Sequence, residues 1–211
     1  MEIGDILFPA LFQRYGYVDE GPYEWGAVRV AEGDVVLDCG ANLGVFSLLA
    51  AYRGAEVFAF EPIAEARAVL AQTLELNPEV QQRVHVVPCA LGAEEGTAEF
   101  TVLADTLVGS SMVLPQSGRK VRVPVTTVDL FRETEGLDAV DFVKADIEGA
   151  ERQMLAGAGE TLRRCTPKIA ICTYHLADDP AVIAGLLRRA DPRYQLTERW
   201  KKIYGMVPGE R

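Results

Sequence analysis

The sequence predicts an α/β fold built on a doubly wound, largely parallel sheet. Three observations carry that expectation. Short runs rich in β-branched and aromatic residues alternate with longer segments of helical character. Three of those runs lack the strict in/out alternation of a half-exposed strand, which suits parallel strands covered on both faces. All five of them end in turns that carry polar, acidic or glycine residues. Strand and helix taken in turn imply βαβ crossovers.

The elements follow in order. Val35–Asp38 is the first strand, and Gly44–Tyr52 is the helix after its glycine-bearing turn. Val57–Phe60 leads into a helix over Ile63–Leu76, where Pro62 at the start and Glu65 in the first turn both favour initiation. Val84–Pro88 is the third strand. The rhythm then breaks: Gly96–Leu103 and Val121–Val125 read as extra extended segments around a Gly/Ser/Pro-containing loop, Gly109–Gly118. The stretch from Gly96 to Val140 holds too little apolar material for a core of its own, so 96–126 reads as a small β insertion and not a second domain. Phe142–Ala145 and Lys168–Thr173 are the fourth and fifth strands, with a helix over Glu151–Cys165 between them. A helix over Pro180–Arg189 precedes a terminal hairpin, Tyr194–Trp200 with Lys202–Val207, whose turn carries a poor signal.

Residues 1–30 form an aromatic-rich arm containing Phe8, Leu11, Phe12, Tyr15, Tyr17, Tyr23 and Trp25, and residues 31–207 form one domain. The arm either packs over a sheet edge or partly lids a pocket.

Composition narrows the function. The 211 residues are 49% apolar and 25% charged, ordinary for a globular chain. A net charge of −10 offers no broad positive field for a nucleic-acid backbone, so nucleic acid is not expected as a partner. The small basic clusters at Arg119, Lys120 and Arg122, at Arg163 and Arg164, and at Lys201 and Lys202 read as solvated faces. Cys39, Cys89, Cys165 and Cys172 form no CxxC pair and fit buried thiols better than a disulfide framework or a metal site. With no leader pattern and no run of transmembrane length, the expected setting is cytoplasmic. Nothing in the sequence addresses oligomeric state.

In a doubly wound sheet, ligands bind outside the carboxyl ends of the strands. Those ends are Asp38–Cys39–Gly40, Phe60–Glu61–Pro62, Cys89–Ala90–Leu91–Gly92, Lys144–Ala145–Asp146 and Tyr174–His175. Each carboxylate there could instead cap a helix. Gly40 and Gly44 suit a tight turn that lets a ligand approach the backbone. Their GxxxG spacing is not the GxGxxG of a dinucleotide site, and no lysine of a phosphate-gripping loop follows. Asp38 ahead of the turn is poorly placed beside a pyrophosphate and better placed for a cationic or hydroxyl-bearing ligand. Glu61, 21 residues after Gly40, can accept two hydrogen bonds from a ribose diol. A nucleoside without phosphates satisfies both, and S-adenosylmethionine is one.

Here the motifs acquire a family. DCGANLGVFSL resembles the first motif of class I methyltransferases, and AFEP resembles the second. More specific is DFVKADIEGAERQM, Asp141–Met154. Together with VPCALG before it, VPVTTVDLF (Val123–Phe131) between and CTYH after, it resembles the FkbM family of S-adenosylmethionine-dependent methyltransferases, many of whose members are assigned to O-methylation. The resemblance runs from about Gly33 to Tyr204. It implies a Rossmann-like seven-stranded sheet with helices on both faces, in which the terminal hairpin supplies the last two strands. It further implies that Asp38, Gly40, Asn42 and Gly44 line the methionine end of the cofactor and that Glu61, with Pro62 beside it, takes the ribose. Ala90 and Leu91 would contact the adenine through backbone and apolar surface, because residues 88–92 lack the acidic residue many class I enzymes place there.

Methyl transfer to a hydroxyl needs positioning and removal of a proton. Asp146 and Glu148 after the fourth strand, and His175 after the fifth, are the catalytic candidates; an imidazole near its ordinary neutral pKa beside a carboxylate is a plausible base. The structural alternatives are a capping Asp146, a solvated first-turn Glu148 and a loop-satisfying His175. His85 reads as a structural residue of the third strand, and Lys144 as a neutralising one. Tyr174 and the loop with Ser110, Ser111 and Met112 would border the acceptor. Asp, Glu and His also describe a divalent-metal set, but the ligand count is doubtful and no metal ligand is assigned. The expected function is methylation of a hydroxyl on a small molecule or carbohydrate. The alternatives are N- or C-methylation on the same fold, or cofactor binding without turnover. An Asn-Pro-Pro-Tyr signature for amide acceptors is absent after the fourth strand, and the glycine spacing disfavours a nicotinamide dehydrogenase.

Overall fold

The computed structural model describes residues 21–102, 111–113 and 118–209. Its elements are β1 (Val35–Cys39), α1 (Val45–Tyr52), β2 (Glu56–Phe60), α2 (Ala64–Glu75), α3 (Pro78–Gln81), β3 (Val84–Val87), β4 (Ala90–Leu91), β5 (Gly96–Val102), β6 (Arg119–Thr126), α4 (Val128–Thr134), β7 (Phe142–Ala145), α5 (Glu151–Ala156), α6 (Gly159–Cys165), β8 (Lys168–Cys172), α7 (Asp179–Ala190), β9 (Gln195–Arg199) and β10 (Lys202–Met206).

Seven strands form one sheet in the order β3-β2-β1-β7-β8-β10-β9. β10 runs antiparallel to both its neighbours, while the other pairings are parallel. The chain works outward from β1 to β3 and then returns to place β7 on the other side of β1. That reversal is the topological switch point, where strand ends leave a crevice. It brings the turn after β1 beside the turn after β7.

The central strands are buried on both faces, which is why they read as continuous apolar runs. Leu37, Phe58, Val143, Ile169 and Ile171 point into one core, with Val128, Met154, Leu162, Ile183 and Leu187 from α4 to α7. Val36, Val57, Ala59, Phe142 and Ala170 point into the other, with Phe46, Ala50, Leu70, Leu74 and Val80 from α1 to α3. Each fully buried Leu, Ile, Val or Phe side chain contributes roughly 1.5–3 kcal/mol by leaving water.

The insertion is a second sheet, β4-β6-β5. β5 and β6 pair antiparallel from Gly96↔Val125 to Val102↔Arg119, and β4 joins β6 in parallel. Ile63, Ala66, Ala90, Phe100, Val102 and Val123 form its small core.

Several elements differ from the sequence expectation. The helix over 151–165 is two, α5 and α6. A Cβ at Gly157 would stand 2.3 Å from the Gly92 carbonyl oxygen and 2.9 Å from Thr127 Cβ, so the chain passes too close there to carry a side chain. The Asp129 carboxylate then accepts the Glu160 and Thr161 N–H groups that open α6, at 2.9 and 2.7 Å. α4 was not foreseen, although Thr127 caps it by accepting the Leu130 N–H at 3.0 Å. The terminal hairpin turns through Trp200 and Lys201, both at positive φ (50° and 57°), the conformation a two-residue hairpin usually gives to Asn-Gly.

The described end of the arm packs against the sheet. Val28 and Val30 are buried, Tyr204 donates its hydroxyl to the Pro22 carbonyl, and the Trp25 ring lies 5.9 Å from that of Tyr204. Phe8, Leu11, Phe12, Tyr15 and Tyr17 lie outside the described residues, as does Ser110.

Candidate active site

The turn after β1 is fixed by sterics and by a buried ion pair. Gly40 has φ 83°, and a Cβ there would meet the Asp146 carbonyl oxygen at 2.1 Å. Gly44, also at φ 83°, would press a Cβ to 2.1 Å from Leu70 Cδ1. The Gly40 and Ala41 N–H groups both donate to the Phe60 carbonyl, at 3.0 and 2.9 Å, tying the turn to the end of β2. Beneath it, Lys144 Nζ lies 2.9 Å from Asp38 Oδ1 and donates to the Gly40 carbonyl at 2.7 Å. Ser47 donates to Asp38 Oδ2 at 2.6 Å. Burial pushes the Lys144 pKa down, but the Asp38 and Asp146 carboxylates outweigh it and hold the ammonium above its ordinary value.

Asp38 is wholly buried, with Oδ2 accepting from Ser47 and Oδ1 paired with the Lys144 ammonium, and it supports the turn from below.

Glu61 closes the neighbouring corner. Only 7% exposed, it accepts the Asn42 N–H on Oε2 at 3.0 Å and the Ile63 N–H on Oε1 at 2.8 Å. Burial raises its pKa, while the two amides, Lys144 and Arg67 pull the other way. Each carboxylate oxygen keeps a lone pair for another donor. Asn42 adopts φ 49°, and its buried Oδ1 has no hydrogen-bond partner. Pro62 is half-buried next to Glu61, and Ala90 and Leu91 are buried in β4.

The acidic cluster is on the β7 side. Asp146 donates its N–H to the Cys39 carbonyl at 3.1 Å, locking the two turns together. It caps no helix; instead its Oδ2 accepts the Tyr23 hydroxyl at 2.5 Å and its Oδ1 the Tyr174 hydroxyl at 3.1 Å. Glu148 and Gly149 follow at positive φ (55° and 95°), a reversal that turns the chain into α5. Ser111 donates to the Glu148 carbonyl at 2.7 Å, which brings the described part of the insertion loop to the site. Met112 packs against the insertion core.

His175 sits among three carboxylates, its side chain 3% exposed. Nε2 is 3.6 Å from Asp146 Oδ1 and 3.4 Å from Glu148 Oε2, and Nδ1 is 3.1 Å from Glu151 Oε1. Burial would push the imidazole pKa down; Glu148, Glu151 and Asp146 together push it up to about 10. Asp146 is raised by burial, but Lys144, the Tyr23 hydrogen bond and His175 leave it below its ordinary value. These acids hold the His175 imidazole above its ordinary near-neutral value.

The structure thus brings Asp146, Glu148 and His175 together, and sets Gly40, Asn42, Gly44 and Glu61 along the adjoining edge. Sequence reasoning missed Tyr23, Glu151 and Lys202, whose Nζ lies 4.6 Å from the centre of the Tyr23 ring. His85 is in β3, paired with Glu56 and stacked on Phe58. Asp146, Glu151 and His175 also offer one ligand atom each within 4.8 Å of one another, a spacing that a divalent ion could share.

The chain is similar to known methyltransferases. A family model described as the methyltransferase FkbM domain matches residues 38–194. Methyltransferase sdnD of Sordaria araneosa is 30% identical over 158 residues, 59% of this chain and 60% of that protein. The 31-O-demethyl-FK506 methyltransferase FkbM of Streptomyces tacrolimicus is 28% identical over 186 residues, 72% of this chain and 67% of that one. The crystal structure of methyltransferase FkbM from Methylobacillus flagellatus KT superposes with a TM-score of 0.67 at 24% identity, over 89% of this chain and 48% of that one. The chain therefore spans about half to two thirds of these relatives.

Proposed function

The chain belongs to the methyltransferase FkbM domain family, and from that premise we propose that it transfers a methyl group from S-adenosylmethionine to a hydroxyl oxygen of a small molecule or carbohydrate. The observation that carries the cofactor is Glu61 beside Asn42: a buried carboxylate with spare lone pairs next to a buried, unpartnered amide oxygen. These groups fit a ligand rich in hydroxyl and amino donors. Glu61 would hold the ribose hydroxyls, Gly40, Asn42 and Gly44 the methionine end, and Pro62, Ala90 and Leu91 the adenine side. Asp38 and Lys144 keep that turn in shape. When bound, S-adenosylmethionine supplies an electrophilic methyl group on a sulfonium.

The chain's own part is to place an acceptor and receive its proton. A hydroxyl presented at the β7 edge donates to an Asp146 or Glu148 oxygen, which takes the proton as the hydroxyl oxygen reacts. The imidazolium of His175 balances those acids. Tyr23 and Tyr174 orient Asp146. The Streptomyces relative, named for a 31-O-demethyl substrate, supports oxygen as the acceptor atom. Four free cysteines fit a cytoplasmic setting, and among the described residues no helix is long and apolar enough to cross a membrane.

Calorimetry with S-adenosylhomocysteine and NAD in parallel tests the cofactor. Binding of the first alone is expected, and binding of NAD alone would overturn the reading. Turnover is expected to survive chelators. Loss of turnover that a divalent ion restores would instead put a metal at Asp146, Glu151 and His175.

A further inference from the structure

We propose that Lys202 is a positioning residue for methyl transfer: its buried ammonium seats the arm segment 21–23 on the terminal hairpin, and through the Tyr23 hydroxyl it fixes the Asp146 carboxylate where the acceptor is placed. Its catalytic meaning rests on the methyl-transfer reading above; the anchoring geometry stands without it.

β8 runs parallel to β7, so its carboxyl end lies at the ligand-binding edge of the sheet, and β10, antiparallel to it, starts there. Lys202 opens β10 opposite Cys172, the last residue of β8. The pairing runs one residue further, as the Thr173 N–H donates to the Lys201 carbonyl at 2.9 Å. Along the sequence Lys201 and Lys202 look alike, but the turn separates them: Lys201 is exposed and Lys202 is only 1% exposed. A cation taken out of water is costly unless polar groups receive it. Here Nζ donates to the Gly21 carbonyl at 3.3 Å and stands 4.6 Å from the centre of the Tyr23 ring, a cation–π distance.

The same hairpin holds the rest of the segment. Gly21 is at φ 60°, and a Cβ there would stand 2.6 Å from Trp200 Cγ, so the chain lies directly on that indole. Tyr204 donates to the Pro22 carbonyl. The Trp25 and Trp200 rings meet edge to face, with centres 6.5 Å apart, and the Arg199 guanidinium stands 5.4 Å from the centre of the Trp25 ring. From this seat Tyr23 reaches across to the acids. Its hydroxyl goes to Asp146 Oδ2 at 2.5 Å, and its ring packs edge-on against Phe46 of α1, with centres 5.5 Å apart. Asp146 is thus aimed by a side chain that Lys202 holds in turn. An ammonium is drawn to the π face of the ring, whereas a methionine of similar length carries no charge to be drawn. Lys202→Met therefore keeps the space nearly filled and removes the grip.

The two tryptophans of the chain, Trp25 and Trp200, both stand at this contact, so intrinsic fluorescence reads the seating of the arm. In Lys202→Met, emission is expected to move to longer wavelength and acrylamide quenching to rise. Affinity for S-adenosylhomocysteine is expected to hold, because Glu61 and Asn42 lie at the β1–β2 side of the edge. With a methylated acceptor in hand, kcat is expected to fall roughly 10- to 100-fold with KM for S-adenosylmethionine little changed, the cost of a carboxylate displaced by about an ångström. Tyr23→Phe is expected to lower kcat by a similar factor, and the double variant by no more than the worse single one, because both act through one contact. Unaltered emission and quenching in Lys202→Met, an unaltered kcat, or losses that multiply in the double variant would each overturn the proposal. Should Lys202→Met not fold, Gly21→Ala lifts the same segment off Trp200, and an unaltered kcat there overturns it as well. A protein whose tryptophans respond as expected but which transfers no methyl group keeps the arm anchor and overturns the reaction.

Discussion

The Tyr23 hydroxyl donates to Asp146 Oδ2 at 2.5 Å, across 123 residues of chain. The end of the N-terminal arm is thereby part of the acidic site. Lys144 and Lys202 lie 5.0 and 4.6 Å from the centre of the Tyr23 ring, so the ring sits between the carboxylate and two ammonium groups. Tyr23→Phe removes one charge-assisted bond and leaves a largely buried carboxylate short of a donor. A loss of about 1–3 kcal/mol in denaturant unfolding is expected. Unchanged stability would show that the contact contributes nothing.

Lys144→Met should be more damaging. It strands Asp38, which is wholly buried, without its cationic partner, and frees the Gly40 carbonyl. Breaking one side of a buried pair costs about 3–5 kcal/mol. Pairing it with Asp38→Asn should recover part of that loss, because the isolated charge is gone. Equal destabilisation in the single and double variants would argue against the pair.

For Glu61→Ala the readout is affinity for S-adenosylhomocysteine. Losing hydrogen bonds to a charged acceptor is worth on the order of 1–3 kcal/mol each, so affinity should fall roughly 5- to 150-fold. Because the Asn42 and Ile63 N–H groups also lose their acceptor, unfolding should come earlier too. Undiminished affinity would remove Glu61 from the ribose role.

His175 makes a pH prediction whose sign follows from its raised pKa. Its folded value, about 10, stands above its ordinary 6.5, so the proton binds the folded state more tightly. The stabilisation is present in full below the ordinary value and is lost as pH rises through the folded one. His175→Asn should therefore cost more stability near pH 6 than at about pH 10.5. The same cost at both ends would mean that the ring is not held protonated.

The fold was largely legible because its central strands are apolar on both faces and its helices carry ordinary start signals. What escaped was set by contacts distant in sequence. The break at Gly157 follows from the Gly92 carbonyl pressing against it. The partnership of Asp38 with Lys144 follows from the β1–β7 register, visible only once strand order is known. DIEGAE put Asp146 and Glu148 at the site, yet Glu151 in the same motif was read only as the start of the following helix. Tyr23 was noticed only as one aromatic among seven apolar arm residues. The short strand holding Ala90 and Leu91 exists because β6 returns beside it, which no local pattern announces.

The most direct measurement is methyl transfer itself. Purified protein is incubated with methyl-labelled S-adenosylmethionine and a panel of sugars, phenols and lipid alcohols, and the products are analysed for the atom that carries the label. The account predicts label in a methyl ether, accompanied by S-adenosylhomocysteine, and a sharp drop when Asp146 is replaced by Asn. Label found only on nitrogen or carbon, or no transfer to any hydroxyl while cofactor binds tightly, would contradict it.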